Sequence, residues 1–462
     1  MTLLEEIKNY IFKSEHKLKI SSKDIKKNDI FIALKGLNNH GNKYMHEAIR
    51  AGAKYCITDK KLSKSPSNQN ILFVENIQKF LLDLSKTKRS LYKGNVIGIT
   101  GSAGKTSLKE YLKYYLSKKF KVSASIKSYN NNLGVMISIL NLNLKSHYAI
   151  FEIGTNNFFE IRELTKLVKP SQIFITNILS THLENFISKK NIAKEKADIF
   201  VKKFNPSSTI LYLQKKTKEE ELIYRIAKNE KIKKIICIGK KIDQGYIKEI
   251  KKLDSKYEII IKILHKNFKI ILPHYEQKMI SNLIFVLSFF VVNKIDTKII
   301  FQNKLKIPKI EGRGSTHNLF FKNFKVKLID QSYNANPETM IESIENFSVF
   351  KNKNRHKYLI LGNMNELGLS SLDHHINVIK VIEKNYFDQV ILSGDSFKKA
   401  LNMFSKLKNK YVYLNKSKSI MRYLEKNIHK NAIIMAKCSN RTEVNNFVTK
   451  LKFFKKGSSC LK

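Results

Sequence analysis

Gly98-Ile99-Thr100-Gly101-Ser102-Ala103-Gly104-Lys105-Thr106-Ser107 governs how the rest of this chain is read, because it has the makings of a phosphate cradle. Val96 to Ile99 is a β-branched run suited to a buried strand, and from Lys105 to Leu116 the apolar residues return at helical spacing. Glycines between them permit a tight turn whose N–H groups face an anion, with the partial positive charge of a helix N-terminus behind it. Gly101, Ser102, Ala103, Gly104 and Ser107 would line that cradle. Lys105 is placed to reach the β- and γ-phosphates, and the Thr106 hydroxyl to hold Mg²⁺. The fit to the general P-loop pattern has one displaced glycine, since Gly98 stands one step further out than expected. A plain glycine turn ahead of a helix is the alternative. Gly-Lys-Thr at a strand–helix junction favours ATP or GTP.

Outward from this turn the chain reads as α/β. At 462 residues it is too long for one core, and about three domains are expected. Residues 1–85 make a small N-terminal α/β unit, with a strand at Asp29-Ile-Phe-Ile-Ala-Leu, a helix from Tyr44 to Ala51 and a polar loop from Lys60 to Asn70. Residues 86–305 alternate strands with helices: Val96–Thr100, Tyr148–Ile153 and Ile173–Asn177. That alternation belongs to a parallel sheet covered by helices. Residues 306–462 repeat it in a Rossmann-like manner with Lys327–Asp330, Tyr358–Leu361, Gln389–Leu392 and Ile433–Ala436. Pro308 and the turn Glu311-Gly312-Arg313-Gly314 mark the second boundary.

Composition narrows the function. The formal net charge of +48 invites a nucleic-acid reading, but the lysines are spread over every segment and form no stripe. Trp is absent, with only 6 Pro and 17 Gly, the pattern expected of an A/T-rich genome. A diffuse positive field still attracts polyanions such as nucleotides. The longest apolar stretch, Leu283 to Val292, falls short of the roughly 18 residues a membrane span needs. The N-terminus is acidic where a secretory signal is basic. Cys56, Cys237, Cys438 and Cys460 lie far apart with no Cys-x-x-Cys pair, which points to a reducing, cytoplasmic setting without a zinc site.

In an open parallel sheet, ligands bind beyond the carboxyl ends of the strands. Glu152 closes an otherwise apolar strand there, as either an edge residue or a cation ligand. Thr176-Asn177 ends the next strand, and His182 follows in the loop, a surface histidine unless it shares the edge with Glu152. Over Asn191–Phe204, read as one helix, Lys196 falls within the apolar stripe of Ile192, Ala193, Ala197, Ile199 and Phe200. An inward lysine is costly unless neutral or paired. Snorkelling, which Lys203 near the same stripe would share, is the other reading. Asp330-Gln331-Ser332-Tyr333-Asn334-Ala335-Asn336-Pro337 ends a strand with more polar groups than a helix cap requires. Leu361-Gly362-Asn363-Met364-Asn365-Glu366-Leu367-Gly368 is a second such turn, with His375 downstream.

Together these segments resemble the Mur ligases, ATP-dependent amide-forming enzymes of peptidoglycan precursor synthesis and hence of cell wall, shape and division. Thr100-Gly-Ser-Ala-Gly-Lys-Thr106 is similar to that family's own P-loop, which explains the displaced glycine. Asn130-Asn-Asn-Leu-Gly134, Phe151-Glu-Ile-Gly154, Thr176-Asn-Ile178 with His182, and Ala193-Lys-Glu-Lys196 resemble central-domain motifs. Ser332-Tyr-Asn-Ala-Asn-Pro337 with Glu366-Leu-Gly368 resembles the member that joins D-alanyl-D-alanine to UDP-N-acetylmuramoyl-tripeptide. A member adding a single amino acid or glutamate is the alternative. The resemblance implies ATP, with its phosphates held at Lys105, Thr106 and Arg313 and its nucleoside at Asn282 and Asp330. It implies two Mg²⁺ ions near Thr106, Glu152 and His182, and a carbamylated Lys196. Ser22, Asn131, Asn334 and Asn336 fall to the substrates, and the N-terminal unit to the UDP-sugar. A monomer acting on neither nucleic acid nor membrane is expected.

The chain departs from the family's pattern in places. Ser21-Ser22-Lys23 replaces an acid-Ser-Arg, Phe158-Phe159 a Pro-Gly, Lys278 a histidine, Asn363 an aspartate and Cys438 a glycine. None of these removes a phosphate or metal group. A basic P-loop ATPase acting on nucleic acid is the rival from another class, and an aromatic-interleaved basic stripe is what it lacks.

Overall fold

The computed structural model describes residues 2–453 apart from 14–16, 37–38, 62–69, 255, 273–275, 302–304, 322–323, 351–355 and 405–409. Most of the polar loop expected at 60–70, and Cys460, thus lie outside the described residues. Three sheets organise the chain. Short β-branched and aromatic segments form Leu18–Lys19, Ile30–Ala33, Tyr55–Thr58 and Ile71–Phe73, which pair in parallel in that order. Every residue of Ile30–Ala33 and Tyr55–Thr58 is buried, so these strands read as continuous apolar runs.

The second sheet has nine strands. Its parallel part runs Val122–Ala124, Tyr148–Glu152, Asn95–Thr100, Gln172–Ile175, Ile210–Gln214, Lys234–Ile238. The strand Asn95–Thr100 lies between Tyr148–Glu152 on one side and Gln172–Ile175 on the other, so the strand order reverses beside it, the switch point where such folds open a crevice. An antiparallel meander of Gly245–Lys252, Tyr257–Ile263 and Lys266–Leu272 extends the far edge. The sequence reading had no meander there. Phe174 stacks on Tyr212 at 4.4 Å, with Phe285 and Phe289 against them, beneath the helix Gln277–Val292.

The third sheet pairs Ser315–Phe321 antiparallel with Phe324–Gln331, then continues in parallel through Ile433–Lys437, Lys357–Gly362, Gln389–Ser393 and Val412–Tyr413. Apolar clusters cover both its faces.

By contact the chain groups into two units. The first holds Met1–Asn177, Ala193–Pro273 and Ile280–Leu305, hence both of the first two sheets. The second holds Lys306–Lys462 together with Ile178–Ile192 and His274–Met279. The boundary expected at residue 85 lies within the helix Ile77–Leu91, which leads from the first sheet to the second. Lys88 of that helix is buried and donates to the carbonyls of Ile11 at 2.7 Å and Leu140 at 2.6 Å, fastening the N-terminal helix to the central one. Asn141 pairs with both the N–H and the carbonyl of Leu18.

Candidate active site

The turn after Asn95–Thr100 has the backbone of a cradle. Gly101 has φ 138°, and a Cβ there would stand 1.9 Å from Thr176 Oγ1, so no other residue fits. Gly104, at φ 86°, precedes the helix Lys105–Leu116 with no side chain capping its first turn. Asn177 fixes the turn: its carbonyl accepts from Ser102 N at 2.9 Å and its Oδ1 from Ala103 N at 2.8 Å. Thr176 Oγ1 donates to the Ala103 carbonyl at 2.6 Å. Lys105 Nζ folds back to donate to the Gly101 carbonyl at 2.6 Å. Asn282 stands beside the turn, its Oδ1 3.7 Å from where a Cβ of Gly104 would be.

On the adjacent strand, Glu152 is 1 % exposed. Its Oε2 accepts from Thr106 Oγ1 at 2.7 Å and its Oε1 from Asn130 Nδ2 at 2.8 Å. Both donors are neutral, and no ion pair to Glu152 occurs among the described residues. A buried carboxylate facing a hydroxyl, with its charge unmatched, is a donor set that suits a hard divalent cation. Asn130 is thus the asparagine of its motif that touches Glu152. Asn131 instead caps the helix Asn132–Leu140, accepting from Gly134 N, which accounts for it without a ligand.

Lys196 is 2 % exposed. Burial, and then the positive charge of Lys105, hold its ammonium well below the ordinary lysine range, against the opposing pull of Glu195. No hydrogen bond or ion pair to it occurs among the described residues. The stripe argument therefore holds for burial, while Lys203 is exposed. The helix itself is shorter than expected. It spans Lys189–Ala197, and two 3-10 turns follow, because Asn205 Nδ2 takes the carbonyls of Ile199 and Val201. Glu195, which sequence reasoning passed over, accepts from the backbone of Phe159 and Ile161 and from Thr155 Oγ1. It ties the loop after Glu152 to the helix that carries Lys196.

The second unit gathers other residues at the carboxyl ends of its strands. Arg313 lies over the Tyr333 ring at 4.2 Å. Asp330 is fully buried, where its Oδ1 accepts from Ser332 N and Oγ and its Oδ2 pairs with Lys452. Asn336 caps the helix Pro337–Ser348 in a reciprocal pair with Thr339, and Asn334 Oδ1 accepts from Ala335 N. Lys437, another residue that sequence reasoning did not single out, donates to the Asn334 carbonyl at 3.2 Å. Burial, then Lys278, brings its ammonium down to about 7. His182 Nδ1 lies 2.5 Å from Glu366 Oε2, which joins it to the turn at residues 363–368. Ser22 Oγ, in the first unit, donates to Glu47 Oε2 at 3.0 Å. Nearby Asp24, Leu18 and Ile20 line a pocket with Ile126, Lys127 and Tyr129 of the central sheet.

The Mur ligase middle domain matches residues 99–289, and the Mur ligase glutamate ligase domain residues 320–440. UDP-N-acetylmuramoyl-tripeptide–D-alanyl-D-alanine ligase of Rickettsia prowazekii is 34 % identical over 391 residues, 84 % of each chain. The chain belongs to the Mur ligase family. Among solved structures, MurF from Acinetobacter baumannii matches with a TM-score of 0.77 at 21 % identity, covering 94 % of this chain and 93 % of that one. MurF ligase from Thermotoga maritima in complex with ADP matches with a TM-score of 0.74 at 22 % identity, covering 94 % and 96 %. These two share the three-domain Mur ligase architecture.

In this Mur ligase the departures from the family pattern fall in varied surroundings, Phe158 and Phe159 being exposed. Lys278 pairs with Glu342 at 2.7 Å. Cys438 is buried against Gly362, where any added Cβ would meet it at 2.7 Å, and burial pushes its thiol up to about 12. Asn363 leaves no room for a side chain at Gly394. Phe159 has φ 69° ahead of the helix Glu160–Val168, the backbone a glycine would adopt at lower cost.

Proposed function

We propose that this Mur ligase joins D-alanyl-D-alanine to UDP-N-acetylmuramoyl-tripeptide with ATP, giving the pentapeptide precursor of peptidoglycan in the cytoplasm. The observation that carries the reading is the buried Thr106–Glu152 pair at the mouth of a P-loop that only glycine at 101 can form. A carboxylate is a poor acyl donor, because it is anionic and its leaving group would be oxide. Transfer of the γ-phosphoryl group to the tripeptide's carboxylate gives ADP and an acyl phosphate. The amine of the dipeptide then attacks the carbonyl carbon, inorganic phosphate leaves, and the amide forms with loss of one proton. Catalysis of such a transfer is positioning plus charge stabilisation.

Lys105 and the N–H groups of the turn would hold the β- and γ-phosphates, with Arg313 a further cation for them and Ser107 in the first helical turn. Asn282, beside Gly104, would face the nucleoside. Asp330 is engaged by Ser332 and Lys452, so its share in nucleoside binding would be through that network. Thr106, Glu152 and His182 would hold Mg²⁺, which when bound supplies charge neutralisation on the transferring phosphoryl group. Burial that lowers the Lys196 ammonium favours the neutral amine, the form that adds CO₂ with loss of a proton, and a carbamate there would return a negative charge beside Lys105. The pocket between the first two sheets supports the UDP-sugar end, with Ser22 next to it. The Tyr333–Asn336 turn supports the dipeptide end, where Lys437 fixes the Asn334 carbonyl.

The test is ADP release measured with each substrate omitted in turn. Dependence on both UDP-N-acetylmuramoyl-tripeptide and D-alanyl-D-alanine is expected, and release indifferent to the dipeptide would falsify the proposal. A panel of single amino acids and dipeptides as acceptors then separates this assignment from a member adding one residue.

A further inference from the structure

Residues 178–192 follow the strand Gln172–Ile175, yet they group by contact with the C-terminal sheet. Two carboxylates of that unit take hold of them. Glu338 accepts from Ser180 at both its N–H, 3.1 Å, and its hydroxyl, 2.7 Å. Glu366 Oε2 lies 2.5 Å from His182 Nδ1, while the Glu366 carbonyl accepts from Glu184 N at 3.3 Å. Leu183, between them, packs on the apolar cluster beneath the C-terminal sheet.

Both partners of the His182–Glu366 pair are held in left-handed backbone, φ 53° and 65°. Neither is glycine, so the fold maintains a conformation that each disfavours, a feature typical of functional sites. Gly368, at φ 57°, completes the seat: a Cβ there would stand 3.1 Å from Glu184 Cα. The turn bearing Glu366 is itself anchored, since Met364 N donates to buried His375 Nε2 and Asn365 N donates to Ser439 Oγ. A carboxylate accepts, so an imidazole that pairs with it through Nδ1 carries a proton there and, as a metal ligand, has its lone pair on Nε2.

We propose that Glu366 is a positioning residue for His182: by taking Nδ1–H it fixes the tautomer and ring plane, and so presents Nε2 as a ligand nitrogen to a divalent cation. Carboxylates orient metal-binding imidazoles in this way. The inference rests on His182 serving the metal, as proposed above.

The first measurement needs no metal. Protein labelled with ¹⁵N at histidine, kept above pH 8, is examined by long-range ¹H–¹⁵N spectra, and His182 is assigned by its loss in His182→Gln. The expected result is a protonated Nδ1 and a bare Nε2 in the parent protein, with the bias released in Glu366→Ala. A parent protein protonated at Nε2 overturns the proposal. The second measurement is the Mg²⁺ dependence of ATP turnover. Glu366→Ala should raise the midpoint by about 10–100-fold, Glu366→Gln, which keeps an acceptor oxygen, should recover most of that loss, and Glu366→Ala should add nothing in a His182→Ala background. Additive effects in that background overturn the positioning role. An unchanged midpoint in His182→Ala alone would instead remove the metal role of His182, leaving the spectroscopic result to stand by itself.

Discussion

Thr106 Oγ1 donates to Glu152 Oε2 at 2.7 Å, so the hydroxyl that opens the P-loop helix and the acid that closes the adjacent strand face one another. Replacing Glu152 by Gln keeps the shape and removes the charge. The Mg²⁺ midpoint for ATP turnover should rise about tenfold or more, with little change in melting temperature. Glu152→Ala should also destabilise, by about 1–3 kcal/mol, because Thr106 and Asn130 lose their buried acceptor. Parallel metal titrations and thermal melts separate the two effects. An unaltered Mg²⁺ response in the Gln variant argues against a metal at this carboxylate.

Gly101→Ala tests the cradle itself. The new methyl meets Thr176 Oγ1 at 1.9 Å on a backbone with φ 138°. The turn must open, at a cost of about 1–3 kcal/mol. We expect the rise in melting temperature that ATP confers on the parent protein to disappear. A variant that is stabilised by ATP as before shows that the triphosphate lies elsewhere.

Lys196→Ala should retain ATP binding and lose turnover by on the order of a thousandfold, the scale of deleting a charge-stabilising group. In ¹³C-bicarbonate the parent protein should give a carbamate resonance that this variant lacks. Near-normal turnover in Lys196→Ala ends the carbamate assignment.

Lys88 gives a pH prediction whose sign is fixed by burial. Its ammonium titrates at about 7 in the folded protein, lowered first by desolvation and then by Lys17, against an ordinary value of 10.5. Below about 7 both states are protonated, and the burial cost is present in full. Between there and 10.5 the unfolded chain binds the extra proton, so stability rises with pH, by at most about 1.4 kcal/mol per unit for one group. Lys88→Met should flatten that rise. Chemical denaturation of both proteins from pH 6.5 to 9.5 measures the difference, and identical slopes would refute the assignment.

The parallel strands around the P-loop were legible because each is a short β-branched run followed by a helical pattern. The expected Val96–Thr100, Ile433–Ala436 and Gln389–Leu392 lie within a residue of the strands observed. Lys196 was legible because one charge interrupts an apolar stripe. The meander was missed although Lys266–Leu272 buries every second residue from Phe268; that alternation was present and went unread. Asn130 and Asn131 could not be told apart in the sequence, because two like residues side by side differ only in that one caps the helix and the other reaches Glu152. The hold of Glu366 on His182 joins residues far apart in the chain, and neither local spacing nor charge pattern carries that information.

Asn141 and Lys88 bind the layer of the first sheet to that of the second through backbone atoms of Leu18, Ile11 and Leu140. Those two layers therefore travel as one block. If sugar nucleotide sits on the first and triphosphate on the second, the block acts as a ruler: the reach of the tripeptide stem, measured from its nucleotide anchor, decides whether its terminal acid arrives at the phosphate. A stem one residue shorter or longer would be rejected by length before any side chain was read.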